Sequence, residues 1–289
     1  MKKKKEISMR KKEVFAGYMF LLPWLIGFLV FSLYPIVYSI RLSLNEVSIN
    51  STNGVAFNWK GLEYYYNALR VDTSFLTILG ESVTFICLAT PIILVFSLVI
   101  AVLLNHEFRG RTFFRVLFFF PVIIMSGSVI SELLGSYTLD FSQMSGVVYN
   151  FLNSLPSLLQ KPIFFALNNL VLILWFCGVQ ILLFLAGLQK VGGEVYEAAE
   201  VDGAGAWEKF WKITLPHIKP MILVNAVYTV MEIANYSNNA VLAKISSHMF
   251  EVTRPYSFSA AMSWIYFFAI AVILVVVFVL FGRKGKGNA

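Results

Sequence analysis

Residues Glu194–Pro220 read EVYEAAEVDGAGAWEKFWKITLPHIKP, a charged, glycine-punctuated stretch set between two strongly apolar segments. Glu194 to Asp202 holds good helix formers and no breaker, and Gly192-Gly193 interrupts the chain just before it. Gly203 and Gly205 stop that helix after one or two turns. A second short helix is predicted from Ala206 to about Lys212. Leu215-Pro216 then ends it, and Pro220 suits the first turn of the next helix. The product is a compact helix–turn–helix standing off a membrane. Ala198, Ala199 and Gly203 leave room for another backbone, and Glu197 offers a carboxylate to donors on it. Trp207, Phe210 and Trp211 are placed to hold the second helix to a bundle or to an interface. Shape alone fits a solvated surface helix equally well.

Beyond this stretch, the 289 residues are 58% hydrophobic and 13% charged, with a mean hydropathy of +0.73. Soluble domains carry about 25% charge. A polytopic membrane protein follows, of all-α class, because a lipid-embedded backbone must satisfy itself. Six apolar segments are predicted as spanning helices: roughly 14–40, 82–104, 113–135, 163–188, 220–242 and 260–282. Each can cross a core that takes about 20 helical residues. Residues 1–13 form a basic tail, 14–282 the transmembrane domain with the polar loop at 189–219, and 283–289 a second tail. The apolar run after the first tail is too long for a cleaved leader.

Of the chain's 23 Lys and Arg residues, six fall on one side of this topology: Arg41, Lys60, Arg70, Lys161, Lys244 and Arg254. The other 17 fall on the side of the termini and the 189–219 loop. That bias places both termini in the cytoplasm. It also accounts for the net charge of +7 without invoking nucleic acid. On the outer side, Gly61–Arg70 reads as a short amphipathic helix with aromatics at headgroup depth.

Enzyme chemistry finds no support. There is no G-x-x-x-x-G-K-[ST] phosphate loop; the tail GRKGKG lacks the preceding strand and the Ser or Thr. His106, His217 and His248 lie on different segments and form no zinc set. Cys87 and Cys177 sit in apolar segments as small core residues. No cofactor or metal is expected on this chain.

The fifth apolar segment carries Asn225, Tyr228, Glu232 and Asn235 at i, i+3, i+7 and i+10. At about 100° per residue these fall within about 80° of one another, and Asn239 joins them. Polar groups at membrane depth usually face a water-filled path or the bundle interior. Amides, a carboxylate and one ring suit a hydroxylated solute. The same residues also suit hydrogen bonding between helices, and the two readings stay open. Gln180, Ser128, Ser131 and Glu132 rank behind them.

The pattern E-A-A-x-x-x-G, nine residues, then I-x-L-P occupies Glu197 to Pro216 without a miss. It resembles the coupling loop of permease subunits of ATP-binding-cassette importers. Residues 20–40, Gly61-Leu62, the run Arg109–Arg115 into Pro121, and Ala186-Gly-Leu-Gln189 resemble the carbohydrate permeases of maltose, lactose and glycerol-phosphate type, in that family's order. Val191-Gly192 and Asn235–Asn239 depart from its common Ile-Pro and Thr-Gly-Gly-Gly-Pro.

The resemblance implies an importer-permease fold, with Glu197, Ala198, Ala199, Asp202, Gly203 and Ala204 docking on an ATPase. Ile213, Leu215 and Pro216 would anchor the loop's far end. It further implies a second related permease, two ATPase subunits holding ATP and Mg, and an extracellular solute-binding protein. The cargo would be a carbohydrate, in size an oligosaccharide, in a prokaryotic plasma membrane. The alternatives are a permease for a glycerol-phosphate-like or peptide-like solute, and an ATP-independent carrier or scaffold.

Overall fold

The computed structural model describes residues 9–50, 54–123, 150, 153–250 and 256–282. Helices dominate. α1 (Met9–Phe28) passes through a π-turn at Leu29–Leu33 into α2 (Tyr34–Leu44). The wide turn closes with the Tyr34 N–H donating to the Leu29 carbonyl, immediately ahead of Pro35. Proline has no N–H to give, and its ring crowds the carbonyl four residues back. The extra residue in a π-turn relieves that clash and lets the helix continue.

Two strands come next, β1 (Asn45–Asn50) and β2 (Gly54–Trp59), paired antiparallel with Asn45 opposite Trp59 and Val47 opposite Phe57. This hairpin corrects the all-α expectation for the described residues. Apolar residues alternate with polar ones through Glu46-Val47-Ser48-Ile49, a period of two that a search for long apolar runs passes over.

The helix expected at Gly61–Arg70 is the single turn α3 (Glu63–Tyr66), extended by a π-turn at Asn67–Val71. Its aromatics do not share one interfacial role. Tyr64 is buried with its ring edge-on to Phe258 at 6.4 Å, and the Tyr65 hydroxyl meets Ser43 Oγ at 2.8 Å. Tyr66 alone of the three is open, at 64% exposure.

The remaining helices are α4 (Thr73–Asn105), α5 (Arg111–Ile123), α6 (Ser157–Asn168), α7 (Leu170–Leu188), α8 (Gly193–Val201), α9 (Ala206–Lys209), α10 (Leu215–Asn235), α11 (Ala240–Met249) and α12 (Tyr256–Phe281). Among the described residues, four helical stretches are long and apolar enough to cross a membrane: Ala16–Leu44, Thr73–Asn105, Leu170–Leu188 and Tyr256–Phe281. The expected span 113–135 begins in α5, and its second half lies outside the described residues, with Ser128, Ser131 and Glu132. Residues 163–188 divide between α6 and α7 at Asn169, whose side-chain amide donates to the Phe165 carbonyl at 2.9 Å. The fifth segment starts earlier and stops earlier than expected, at Leu215 and Asn235.

The chain forms two compact units, residues 1–73 with 245–265 and residues 74–244 with 266–289. In the first, Ala16–Leu44 buries none of its apolar window, and Phe20 and Phe31 are more than 80% exposed. In water such a surface has no stable state, so lipid or partner helices must cover it. In the second, α7 and α10 lie side by side around Ile173, Phe176, Ile181, Phe184, Ile218, Val230 and Ile233, all essentially fully buried. Gly187 sets their closeness: a Cβ there would stand 2.8 Å from Met221 Cγ.

Candidate functional site

The Glu194–Pro220 stretch folds into two linked helices, as its glycines predict. α8 ends at Val201, and Gly203 takes φ +82° just beyond it. The Gly203 N–H donates to the Glu200 carbonyl at 3.0 Å and the Ala204 N–H to the Ala199 carbonyl at 2.8 Å. These crossed bonds satisfy carbonyls that a helix end otherwise leaves open. The left-handed conformation explains glycine at the seventh position of the E-A-A-x-x-x-G pattern. A Cβ added there would meet nothing within 4 Å, so within this chain the demand is conformational.

Two side-chain ties fix α8 to the second helix of the loop. Tyr196 Oη and Thr214 Oγ1 share a hydrogen bond at 2.9 Å, and Lys209 Nζ pairs with Glu200 Oε1 at 2.5 Å. Glu208 caps the start of α9 by accepting from the Gly205 N–H at 3.3 Å and pairs with Lys212 at 3.1 Å. Those donors, the Lys212 ammonium first, hold the Glu208 carboxyl below the usual carboxylate range.

The second helix does not end at Leu215-Pro216, which corrects the expected break. α9 passes through a π-turn at Phe210–Thr214, closed by the Leu215 N–H on the Phe210 carbonyl, straight into α10. The device is the one seen before Pro35: a π-turn absorbs the proline after it. Helical backbone therefore runs from Ala206 to Asn235 without interruption. Phe210 and Trp211 line an apolar groove of about 520 Å³ together with Leu94, Leu98 and Val102 of α4.

Of the residues with expected coupling roles, Glu197, Ala198, Asp202, Gly203 and Pro216 are exposed, while Ala199, Ala204, Ile213 and Leu215 are half-buried. Val201 and Trp207, 89% and 74% exposed, add an apolar rim to the same loop. Trp207 stands edge-on to Trp211 at 5.5 Å and makes the loop surface amphipathic.

The polar stripe of α10 divides along its 80° width. Asn225 is fully buried against α7, and its Nδ2 lies 3.5 Å from the Gln180 carbonyl. Gln180, also fully buried, donates through Nε2 to Thr229 Oγ1 at 3.1 Å and to Glu232 Oε2 at 2.8 Å. Tyr228 and Asn235, at the other edge, are exposed, and Asn235 Nδ2 turns back to its own Met231 carbonyl at 2.8 Å. The structure thus joins Asn225 and Glu232 through Gln180 and Thr229 and leaves Tyr228 and Asn235 apart. Thr229 falls outside the stripe spacing and escapes a reading by periodicity; it sits one turn after Asn225 on the same face.

Asn239 leaves the stripe altogether. Its Oδ1 accepts from the Val241 N–H at 2.9 Å, capping α11. Its Nδ2 donates to Tyr266 Oη at 3.0 Å and to the Ala234 carbonyl at 3.2 Å, closing the end of α10.

Residues 73–283 match the family described as the binding-protein-dependent transport system inner membrane component. The chain belongs to that family. Along its length it resembles the probable ABC transporter permease protein YesP of Bacillus subtilis, 29% identical over 95% of this chain and 93% of that one. It is 33% identical to the arabinooligosaccharides transport system permease protein AraP of Halalkalibacterium halodurans, over 71% of this chain and 64% of that one. In fold it matches a chain of the crystal structure of a bacterial ABC transporter involved in the import of the acidic polysaccharide alginate. The TM-score is 0.67 at 20% identity, over 95% of this chain and 98% of that chain. This inner membrane component is accordingly a transport subunit and not an enzyme. Its helices are those of an importer permease.

Proposed function

We propose that this inner membrane component is one of two permease subunits of an ATP-driven carbohydrate importer, with an oligosaccharide as cargo. The likeness to permeases for arabinooligosaccharides and alginate supports the cargo class. In this reading six helices cross a prokaryotic plasma membrane with both termini inside. A second permease completes the pathway, two ATPase subunits carry ATP and Mg below, and a solute-binding protein delivers above.

The observation that carries the coupling role is the unbroken helical path from Ala206 to Asn235, cross-tied to α8. At 1.5 Å per residue, that path is about 45 Å long. A push on the α8 end of the loop, at Glu197, Ala198 and Gly203, therefore moves one lever that reaches Tyr228, Glu232 and Asn235. ATP-driven closure below shifts two such levers together and opens the pathway outward; release of ADP and phosphate reverses it. Ile213, Leu215 and Pro216 sit where the lever enters the bundle, at the π-turn.

Affinity purification of the chain from its native membranes in a mild detergent, followed by mass spectrometry, tests the reading. An ATPase and a second permease are expected to co-purify in comparable amounts. Recovery of the chain alone, from freshly prepared membranes, overturns it.

A further inference from the structure

The turn between α4 and α5 takes no part in the coupling path. It runs through His106–Gly110 and leads into Arg111-Thr-Phe-Phe-Arg115. Arg111 and Arg115 are four residues apart, so they occupy one face of α5. With Glu107, Phe108, Gly110 and Thr112 they line an open recess of about 470 Å³. Among the described residues neither arginine makes an ion pair, nor does Glu107, the only carboxylate of the lining. Nε and Nη2 of Arg115 are covered yet have no hydrogen-bond partner. Like charges at this spacing repel. Among the described residues the recess thus holds two cations together, and its one carboxylate, Glu107, pairs with neither.

Phe108 lines the same recess, and Phe114 and then Phe113 continue from it as a cluster of rings. Phe108, Phe113 and Phe114 are 42%, 66% and 41% exposed. Phe114 contacts both of the others, with centroids at 6.0 and 5.7 Å. A dissolved anion would use the guanidinium groups and leave these rings in water. A lipid uses both, with its phosphate on the cations and its chains on the rings. The depth is right for that. Leu103, 61% exposed, is the last outward apolar residue of α4 before Asn105-His106, so the polar boundary falls at the turn itself.

We propose that this recess binds the phosphate of an anionic phospholipid headgroup through Arg111 and Arg115, with the acyl chains packed along Phe108 and Phe114. The site needs only a membrane surface at the turn, and it holds whichever cargo or partner the importer has.

The test uses the full chain, delipidated in mild detergent and titrated with phosphatidylglycerol or phosphatidylcholine, with bound lipid counted by native mass spectrometry. Phosphatidylglycerol is expected to bind at roughly tenfold lower concentration than phosphatidylcholine, the smaller share of what two surface cations supply. Arg111→Gln/Arg115→Gln should weaken phosphatidylglycerol roughly 25-fold, at the usual contribution of each cation near anionic lipid. Arg111→Lys/Arg115→Lys should keep most of the preference, and Lys190→Gln/Lys219→Gln, with the same charge loss elsewhere, should keep all of it. The proposal is overturned if the unaltered chain shows no preference between the lipids. It is also overturned if the two double-glutamine variants behave alike, or if millimolar inorganic phosphate displaces phosphatidylglycerol completely. The first comparison needs no variant, so a folding defect in one cannot mask the outcome.

Discussion

Replacing Gly203 by alanine isolates the backbone demand at the end of α8. Gly203 sits at φ +82°, where an L side chain costs roughly 1–2 kcal/mol. A Cβ at this position touches nothing within 4 Å, so no steric term is added inside the chain. The strain falls on the two crossed bonds, Gly203 N–H to Glu200 and Ala204 N–H to Ala199. A local opening made easier by that amount raises amide exchange about 5-fold to 30-fold. Hydrogen exchange with mass spectrometry, on the full chain in detergent and read on the peptide Glu197–Trp207, measures it. Gly203→Asn is the internal control, because asparagine is several-fold enriched in this conformation over other residues with a Cβ. Equal protection in the alanine variant, or equal damage from asparagine and alanine, refutes the conformational account. Glycine would then be there to admit a partner's backbone.

The geometry sets further outcomes. Gln180→Leu removes the donor shared by Thr229 and Glu232 and should cost about 1–2 kcal/mol, seen as a lower unfolding temperature in detergent. Asn235→Ala, which loses only a bond to its own helix, should stay within about 0.5 kcal/mol. Asn239→Ala strips the cap of α11 and should lose about 1 kcal/mol or more, with Asn239→Asp restoring the capping part. Burial first, and then the Glu46 and Glu63 charges, push the Tyr64 hydroxyl up to about 12. A raised value in the folded state means the stabilisation is intact below pH 10 and is lost as pH rises from about 10 to 12. Alkaline unfolding in that window should be weaker in Tyr64→Phe, and an unchanged midpoint would contradict the assignment.

Local sequence rules were enough for the helical loop and its punctuation. Helix propensity from Glu194 to Asp202 and glycine at position 203 act on their own neighbourhood, and the backbone obeyed them with bounds one residue from those expected. Apolar length marked Thr73–Asn105 and Tyr256–Phe281 as spans, although these helices begin nine and four residues before the expected 82 and 260. Packing settled other features. Periodicity put Asn225, Tyr228, Glu232 and Asn235 within one 80° sector, and it carries no information on which part of that sector a neighbour covers. Gln180, 52 residues before Glu232, took one edge and left Tyr228 and Asn235 open. Proline at 216 reads locally as a stop, yet a π-turn, tied at Thr214 to Tyr196 of α8, carries the helix through it. Asn239 reads as one more polar residue on a stripe until α11 and Tyr266 arrive to be capped and bonded. In each case the deciding contact comes from a segment that local sequence rules do not see.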